Sequence, residues 1–256
     1  MSIIDEGHVE YSIENGVATI EFGHPKSNSL PGKVLRKLAE TITALGADEG
    51  AQVIVLKSAG ERAFCAGASF DELISIEDYP MGKEFFMGFA RVINAARNCP
   101  KFIIGRVQGK AVGGGVGMAS AVDYCLATKF ASVKLSELAI GIGPFVVGPA
   151  VERKIGTGPM TELAINATEW RSADWARDKG LYTEIYDSAE EMDEAIATLA
   201  GRLAMSNPQA MSLLKTAFWN GTEHWGQLLE ERAEMSGKLV LSDFTVKAIN
   251  AFKQKA

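Results

Sequence analysis

Residues 109–119 read GKAVGGGVGMA, and they follow an apolar run at 102–107 that is typical of a buried strand. A helix is predicted directly after the glycines, and the first N–H groups of a helix are unpaired and carry a partial positive charge. Three successive glycines would let a ligand oxygen approach those donors. The glycine spacing does not match the G-x-G-x-x-G dinucleotide fingerprint, and the G-K-[ST] of a Walker motif is absent. Close packing alone would also explain the glycines.

Strand-like and helix-like stretches alternate on both sides of this segment, which indicates an α/β fold. Residues 17–21, 52–56 and 124–127 also read as strands. Helices are predicted from Pro31, with Pro31 in the first turn, and around the phenylalanines at 85, 86 and 89. Towards the C-terminus the apolar residues recur only at helical spacing. We therefore predict an α/β body over residues 1–195 and a helical region over residues 196–256.

Composition and charge exclude several classes of function. The 256 residues carry a net charge of −6 without a lysine- or arginine-rich run, so no nucleic-acid partner is expected. The most apolar long stretch, 111–127, contains Asp123 and is too short to span a bilayer, so no membrane partner is expected. The three cysteines and three histidines lack the spacing of metal ligands, so we expect no metal. Reduced thiols are typical of the cytoplasm, which is the predicted location.

Two further segments could contribute chemistry. Residues 63–69, AFCAGAS, follow a predicted strand, and the small residues around Gly67 would allow a ligand to reach backbone N–H groups. A tight turn with small residues for close packing is an alternative explanation of the same residues. Glu137 lies among apolar residues in KLSELAIGIGPF, residues 134–145. If buried, its carboxylate would have a raised pKa suited to proton abstraction near neutral pH. The same sequence pattern is also typical of a surface acid or of a residue at the start of a helix.

Taken together, these segments resemble the crotonase superfamily, the enoyl-CoA hydratase/isomerase group, over nearly the whole chain. Residues 24–30, HPKSNSL, are similar to the family's first CoA-binding segment. Residues 63–69 are similar to its A-F-x-A-G-A-D loop, and residues 113–117 to its G-G-G segment. The resemblance implies a crotonase-like spiral of ββα repeats with a C-terminal helical region that forms a homotrimer or a dimer of trimers. It also implies an acyl-CoA thioester as substrate and no separate cofactor.

The resemblance also implies roles for individual residues. The backbone N–H groups of Ala68 and Gly114 would form an oxyanion hole for a thioester enolate, and Glu137 would be the catalytic carboxylate. Losing one donor of such a pair typically costs about 2.7–4 kcal/mol of transition-state stabilisation. The contacts implied for substrate and CoA are Lys26, Phe64, Ala66, Gly67, Gly113, Phe145 and Phe252.

The chain departs from the family pattern at Gly117, where hydratases usually carry the first of two glutamates. Hydration uses one carboxylate to activate water and another to handle the alpha proton, whereas one carboxylate can move a proton between two carbons. Phe145 would exclude water from a region that is glycine-rich in hydratases, and Ser69 replaces the usual aspartate. We therefore predict a Δ3-to-Δ2 enoyl-CoA isomerase.

Several alternatives stay open, among them other chemistries of the family such as thioester hydrolysis or decarboxylation. Asp71 or Glu72, just after the first loop, could supply the second carboxylate of a hydratase for short-chain or branched substrates. A catalytically quiet acyl-CoA-binding subunit is the alternative from another class. The acyl pocket could be lined by the phenylalanines at 85, 86, 89 and 145 and by Trp225, although aromatic residues at helical spacing are more often core.

Overall fold

A six-stranded sheet forms the centre of the body in the computed structural model, which describes the backbone of residues 6–253 and the side chains of residues 6–251. Numbered in chain order and given in spatial order, its strands are β1 (His8–Glu14), β2 (Val17–Gly23), β4 (Val53–Ser58), β7 (Ile103–Val107), β9 (Tyr124–Thr128) and β11 (Glu184–Tyr186). Strand β1 is antiparallel to β2, and every later neighbouring pair is parallel. The four strands expected from the sequence are confirmed. The sequence did not predict β1, because most of its residues are exposed and it lacks an apolar run.

Five short strands build two smaller parallel sheets. Strands β5 (Ala63–Cys65), β8 (Lys110–Val112) and β10 (Val133–Lys134) form one of them, and β3 (Ser29–Leu30) pairs with β6 (Gly67–Ala68) in the other. These backbone pairings bring together segments that are far apart in the sequence. They place the 63–69 loop between residues 29–30 and the glycine segment.

Helices surround the sheets and make up the C-terminal region. Within the described residues they are α1 (Gly32–Ala47), α2 (Phe70–Leu73), α3 (Tyr79–Asn98), α4 (Gly114–Ala121), α5 (Gly148–Ile155), α6 (Thr157–Ile165), α7 (Ala173–Asp178), α8 (Ala189–Ala204), α9 (Pro208–Phe218), α10 (Trp225–Leu239) and α11 (Asp243–Lys253), with a 3₁₀ helix at Glu137–Ile140. Pro31 caps α1 rather than lying in its first turn. The predicted boundary after residue 195 falls within α8. Over residues 6–253, no helix is long and apolar enough to cross a membrane.

Both faces of the large sheet are buried at its centre, which explains the apolar runs in its parallel strands. Residues 53–56 of β4, VIVL, are all buried although successive side chains point to opposite faces. One face packs in the main core with α1 and α3. On the other face, Val55 and Leu126 pack against Met192 and Ile196 of α8.

A buried ion pair joins the C-terminal helices to the body. The Nζ atom of Lys215, on α9, donates to Asp123 Oδ2 over 2.8 Å, and the Lys215 side chain is 2% exposed. Asp123 also accepts from the Ile103 backbone N–H at 2.8 Å and from Trp219 Nε1 at 3.1 Å. Because removing one partner of a buried pair is strongly destabilising, this network holds α9 against the sheet.

Candidate active site

A cavity of about 200 Å³ lies where the two small sheets, α3 and the 3₁₀ helix meet. Both loops predicted from the sequence line it, together with Glu137, apolar side chains of α3 and residues 140–147. In the described part of the chain, Glu137 is the only ionisable residue among the lining residues. The cavity is therefore an apolar chamber with backbone donors and one carboxylate.

The first loop reaches the glycine segment at one side of this cavity. Leu30 pairs with Ala68, and Ser29 Oγ donates to the Ala68 carbonyl oxygen at 2.9 Å, which fixes the orientation of that peptide. Gly67 has a φ of 94°, a value that favours glycine. A Cβ at Gly67 would lie 3.9 Å from the backbone nitrogen of Gly114. The geometry brings Gly67, the neighbour of Ala68, close to Gly114. The pairing of the Ala68 and Gly114 N–H groups as an oxyanion hole stays a prediction.

Gly114 is the first residue of α4. Its N–H group has no intrahelical carbonyl partner, and it lies at the partially positive end of the helix. A Cβ at this position would lie 2.2 Å from the Phe89 ring, so a larger residue would displace either the ring or the donor. The close approach of Phe89 explains why glycine occupies this position.

Glu137 begins the 3₁₀ helix, and its carboxylate is directed towards the glycine segment. A Cβ at Gly113 would lie 2.9 Å from Glu137 Oε1. The residue as a whole is partly exposed, but Oε2 is buried and has no hydrogen-bond partner among the described residues. Burial raises the pKa of Glu137 to about 7, and a hydrogen bond from its own backbone N–H opposes part of that rise. The carboxylate therefore exchanges protons close to neutral pH.

The position of Gly117 is closed by apolar side chains. A Cβ there would lie 2.6 Å from Val147 Cγ1 and 3.6 Å from Ile93 Cδ1. The contact with Val147 is too short for any Cβ, so a glutamate would fit only if Val147 moved, whereas the distance to Ile93 is an ordinary van der Waals contact. The space that a glutamate side chain at position 117 would occupy is thus filled by apolar side chains, and it is not left open to hold water.

Asp71 and Glu72 are engaged outside the cavity. Asp71 Oδ2 accepts from Lys26 Nζ at 2.6 Å, and Glu72 Oε2 accepts from the Gly32 backbone N–H at 2.8 Å. Neither carboxylate lines the cavity, and neither does Lys26. Each predicted second carboxylate has a structural partner elsewhere.

The predicted substrate contacts separate into two groups. Ala66, Gly67, Gly113 and Phe145 line the cavity. Phe64 does not, because it is fully buried with its ring edge-on to Phe22 at 5.4 Å between centroids. The side chain of the remaining predicted contact, residue 252, lies outside the described residues.

Most of the aromatic residues expected to line an acyl pocket do line this cavity. The phenylalanines at 85, 86, 89 and 145 all line the cavity. Trp225 instead packs edge-on against Trp219, with 5.8 Å between ring centroids. Sequence reasoning missed Val147 and Ser236, which line the same cavity but belong to no recognisable motif.

A second, more open cavity of about 690 Å³ adjoins the first and shares Ala66 and Val112 with it. Arg62, Lys110 and Trp170 contribute to its walls. Lys110 Nζ lies 4.9 Å from the centre of the Trp170 ring. Glu61 lines it as well, so this outer cavity has two cationic side chains, one carboxylate and aromatic rings, whereas the inner one is apolar.

Comparisons with known proteins agree with this geometry. Residues 12–256 match the sequence profile of the family described as "Enoyl-CoA hydratase/isomerase". The chain is 29% identical over 250 residues to a "Probable enoyl-CoA hydratase" of Bacillus subtilis (strain 168), with 96% of each chain covered. It is 25% identical over 244 residues to the peroxisomal Delta(3,5)-Delta(2,4)-dienoyl-CoA isomerase of Arabidopsis thaliana, covering 89% of this chain and 86% of that one.

A solved structure shows the same fold. The crystal structure of enoyl-CoA hydratase from Bacillus halodurans superposes with a TM-score of 0.87 at 22% identity. The superposition covers 95% of this chain and 99% of that one. The expected mixed α/β architecture with a helical C-terminal region is therefore confirmed.

Proposed function

The chain belongs to the enoyl-CoA hydratase/isomerase family, and from that premise we propose that it is a Δ3-to-Δ2 enoyl-CoA isomerase that works with a single carboxylate. One observation carries the proposal: among the described residues, only Glu137 brings a carboxylate to the cavity. The two relatives above are named as a hydratase and as an isomerase, so their names favour neither reaction.

In the proposed first step, the Glu137 carboxylate removes a proton from C2 of a 3-enoyl-CoA. The electrons of the broken C–H bond move into the thioester, and negative charge develops on its oxygen. The N–H groups of Ala68 and Gly114 donate hydrogen bonds to that oxygen. Since the cavity is apolar, such preorganised donors stabilise the enolate more strongly than water would.

In the second step, the protonated Glu137 returns the proton to C4. The double bond moves from C3–C4 to C2–C3, and the carboxylate is regenerated, so no water or other reactant is consumed. A pKa of about 7 for Glu137 suits both steps, because the group accepts and releases a proton near neutral pH.

Hydration would need a second group to hold and activate a water molecule. At Gly117 that volume is filled by Val147, and Asp71 and Glu72 have partners outside the cavity. These contacts favour isomerisation over hydration.

We place the nucleotide end of CoA in the outer cavity. Ala66 lines both cavities, so a thioester held in the inner one would continue past Ala66 towards Arg62 and Lys110. Their positive charges suit phosphate groups, and the exposed Trp170 ring offers a surface for a base.

We also propose that the chain assembles as a homotrimer. On α9, Leu213, Leu214 and Phe218 are 64%, 50% and 55% exposed. Neighbouring exposed apolar side chains of this kind mark an interface. Sedimentation equilibrium at micromolar concentration should give three times the chain mass, or six times if two trimers pair, and a monomer would contradict the proposal.

The isomerase proposal is tested with purified protein on 3-hexenoyl-CoA, following formation of 2-hexenoyl-CoA. The wild type should convert it, and Glu137→Gln should lower kcat by about 10²–10⁴-fold, the usual contribution of a general acid–base group. The matched control is Asp71→Asn, which removes a carboxylate outside the cavity and should keep most of the activity. Hydration of crotonyl-CoA to the 3-hydroxy product, or equal rates for the wild type and Glu137→Gln, would contradict the proposal.

A further inference from the structure

The cavity has a polar side chain, Ser236, that the proposed reaction does not use. Ser236 lies on α10, lines the cavity and is 1% exposed. Helices α3 and α10 cross closely here, because a Cβ at Gly82 would lie 2.9 Å from the Gly237 carbonyl oxygen. The crossing places Ser236 beside the part of the cavity that the α3 phenylalanines line.

The hydroxyl of Ser236 differs from those of other helical hydroxyl residues in this chain. A buried helical serine commonly donates to the carbonyl four residues earlier. Ser120 does so to Val116 at 2.8 Å, and Thr41 to Lys37 at 2.8 Å. No hydrogen bond of Ser236 Oγ is formed among the described residues, and this atom is not one of the fully enclosed polar atoms that lack a partner, so it is accessible from the cavity. A hydroxyl left without a partner in an apolar chamber is unfavourable, so we expect a polar group of a ligand to form a hydrogen bond with it.

We propose that Ser236 determines specificity by hydrogen-bonding an uncharged oxygen on the acyl tail of the substrate. This inference rests on the acyl-CoA function proposed above and names its substrate class: acyl-CoA thioesters with a hydroxyl or carbonyl group along the tail. A site built to hydrogen-bond a substrate hydroxyl rejects the analogue that lacks it, because its own polar group is then left unpaired.

The residues that line the cavity also determine which charge an acyl tail can carry there. Among the described residues, the cavity is lined by no lysine, arginine or histidine. A carboxylate tail would enter an apolar chamber without a counter-ion and would face Glu137 besides, which is costly. The preferred oxygen is therefore neutral.

The test measures binding without turnover. Octanoyl-CoA and its 5-, 6-, 7- and 8-hydroxy derivatives are saturated, so each can be titrated by calorimetry into the wild type, Ser236→Ala and Ser120→Ala. At least one hydroxy derivative should bind the wild type about tenfold more tightly than octanoyl-CoA. In Ser236→Ala that derivative should bind more weakly than octanoyl-CoA, because its hydroxyl is desolvated without a partner.

Ser120→Ala is the matched control, since it removes a buried helical hydroxyl that does not line the cavity, and it should keep the wild-type preference. The inference is overturned if every hydroxy derivative binds the wild type more weakly than octanoyl-CoA, or if the preference survives in Ser236→Ala. A tail preference without isomerase activity supports this inference and overturns only the proposed reaction. If octanoyl-CoA and its derivatives all fail to bind, the proposed function and this inference fall together.

Discussion

Replacing Glu137 with glutamine should make the folded protein more stable at alkaline pH while removing its activity. Burial raises the pKa of this carboxyl from its ordinary value of 4.5 to about 7. Since one pKa unit corresponds to 1.36 kcal/mol, the ionised carboxylate costs the folded protein about 3 kcal/mol above pH 7. Glutamine has nearly the same shape without the charge, so Glu137→Gln should gain up to that amount of unfolding free energy.

The gain should depend on pH in a defined direction. Below pH 4.5 the carboxyl group holds its proton in both the folded and the unfolded chain, so ionisation imposes no penalty. As the pH rises from 4.5 to about 7, the unfolded chain releases the proton first and the stability of the wild type falls relative to the variant. The two proteins should therefore differ little at pH 4 and most at pH 8.

Urea denaturation of both proteins at pH 4 and pH 8 measures this difference. Glu40→Gln is the matched control, because Glu40 is exposed on α1 and does not line the cavity. That control should show no comparable gain at pH 8. If Glu137→Gln is no more stable than the wild type at pH 8, Glu137 is not held in a desolvated cavity and the reasoning is refuted.

Three other perturbations test separate parts of the site. The isomerisation rate should rise with pH through about 7, since only ionised Glu137 accepts the C2 proton, and a flat kcat profile from pH 5 to 8 would exclude it as the base. Gly117→Glu should lose about 1–3 kcal/mol in urea denaturation, because its Cβ would lie 2.6 Å from Val147 Cγ1; a stable variant with new hydratase activity would contradict this account. Thr245→Val should lower kcat severalfold without raising KM, because Thr245 Oγ1 donates to the Gly141 carbonyl at 3.3 Å behind the 3₁₀ helix. Thr245→Ser keeps the hydroxyl and should retain activity. Equal kcat values for the two variants would show that this hydrogen bond does not position the 3₁₀ helix that begins at Glu137.

The site was predictable where its chemistry has a local sequence pattern. The small-residue loop at 63–69, the glycines at 113–117 and a lone acid among apolar residues can each be recognised in a few consecutive letters. The structure brings all three to one cavity. The long parallel strands were predictable for the same reason, since burial on both faces produces an unbroken apolar run.

The rest depends on contacts between distant segments. Ser236 reaches the cavity only because α10 crosses α3 at paired glycines, and no feature near residue 236 indicates that crossing. Strands of two or three residues, such as β3 and β6, are too short to show a periodic pattern. Trp225 has the same helical spacing as a lining residue, but its ring is buried edge-on against Trp219 in the core, a contact that the spacing does not reveal.

The central claim is that one shielded carboxylate moves a proton between two carbons of the acyl chain. It is tested most directly with 3-hexenoyl-CoA carrying deuterium at both C2 positions, incubated with the enzyme in ordinary water and analysed by mass spectrometry. The account predicts 2-hexenoyl-CoA in which part of the deuterium removed from C2 appears at C4. A 3-hydroxyacyl-CoA as the main product, or a C4 hydrogen that comes entirely from solvent, would contradict it.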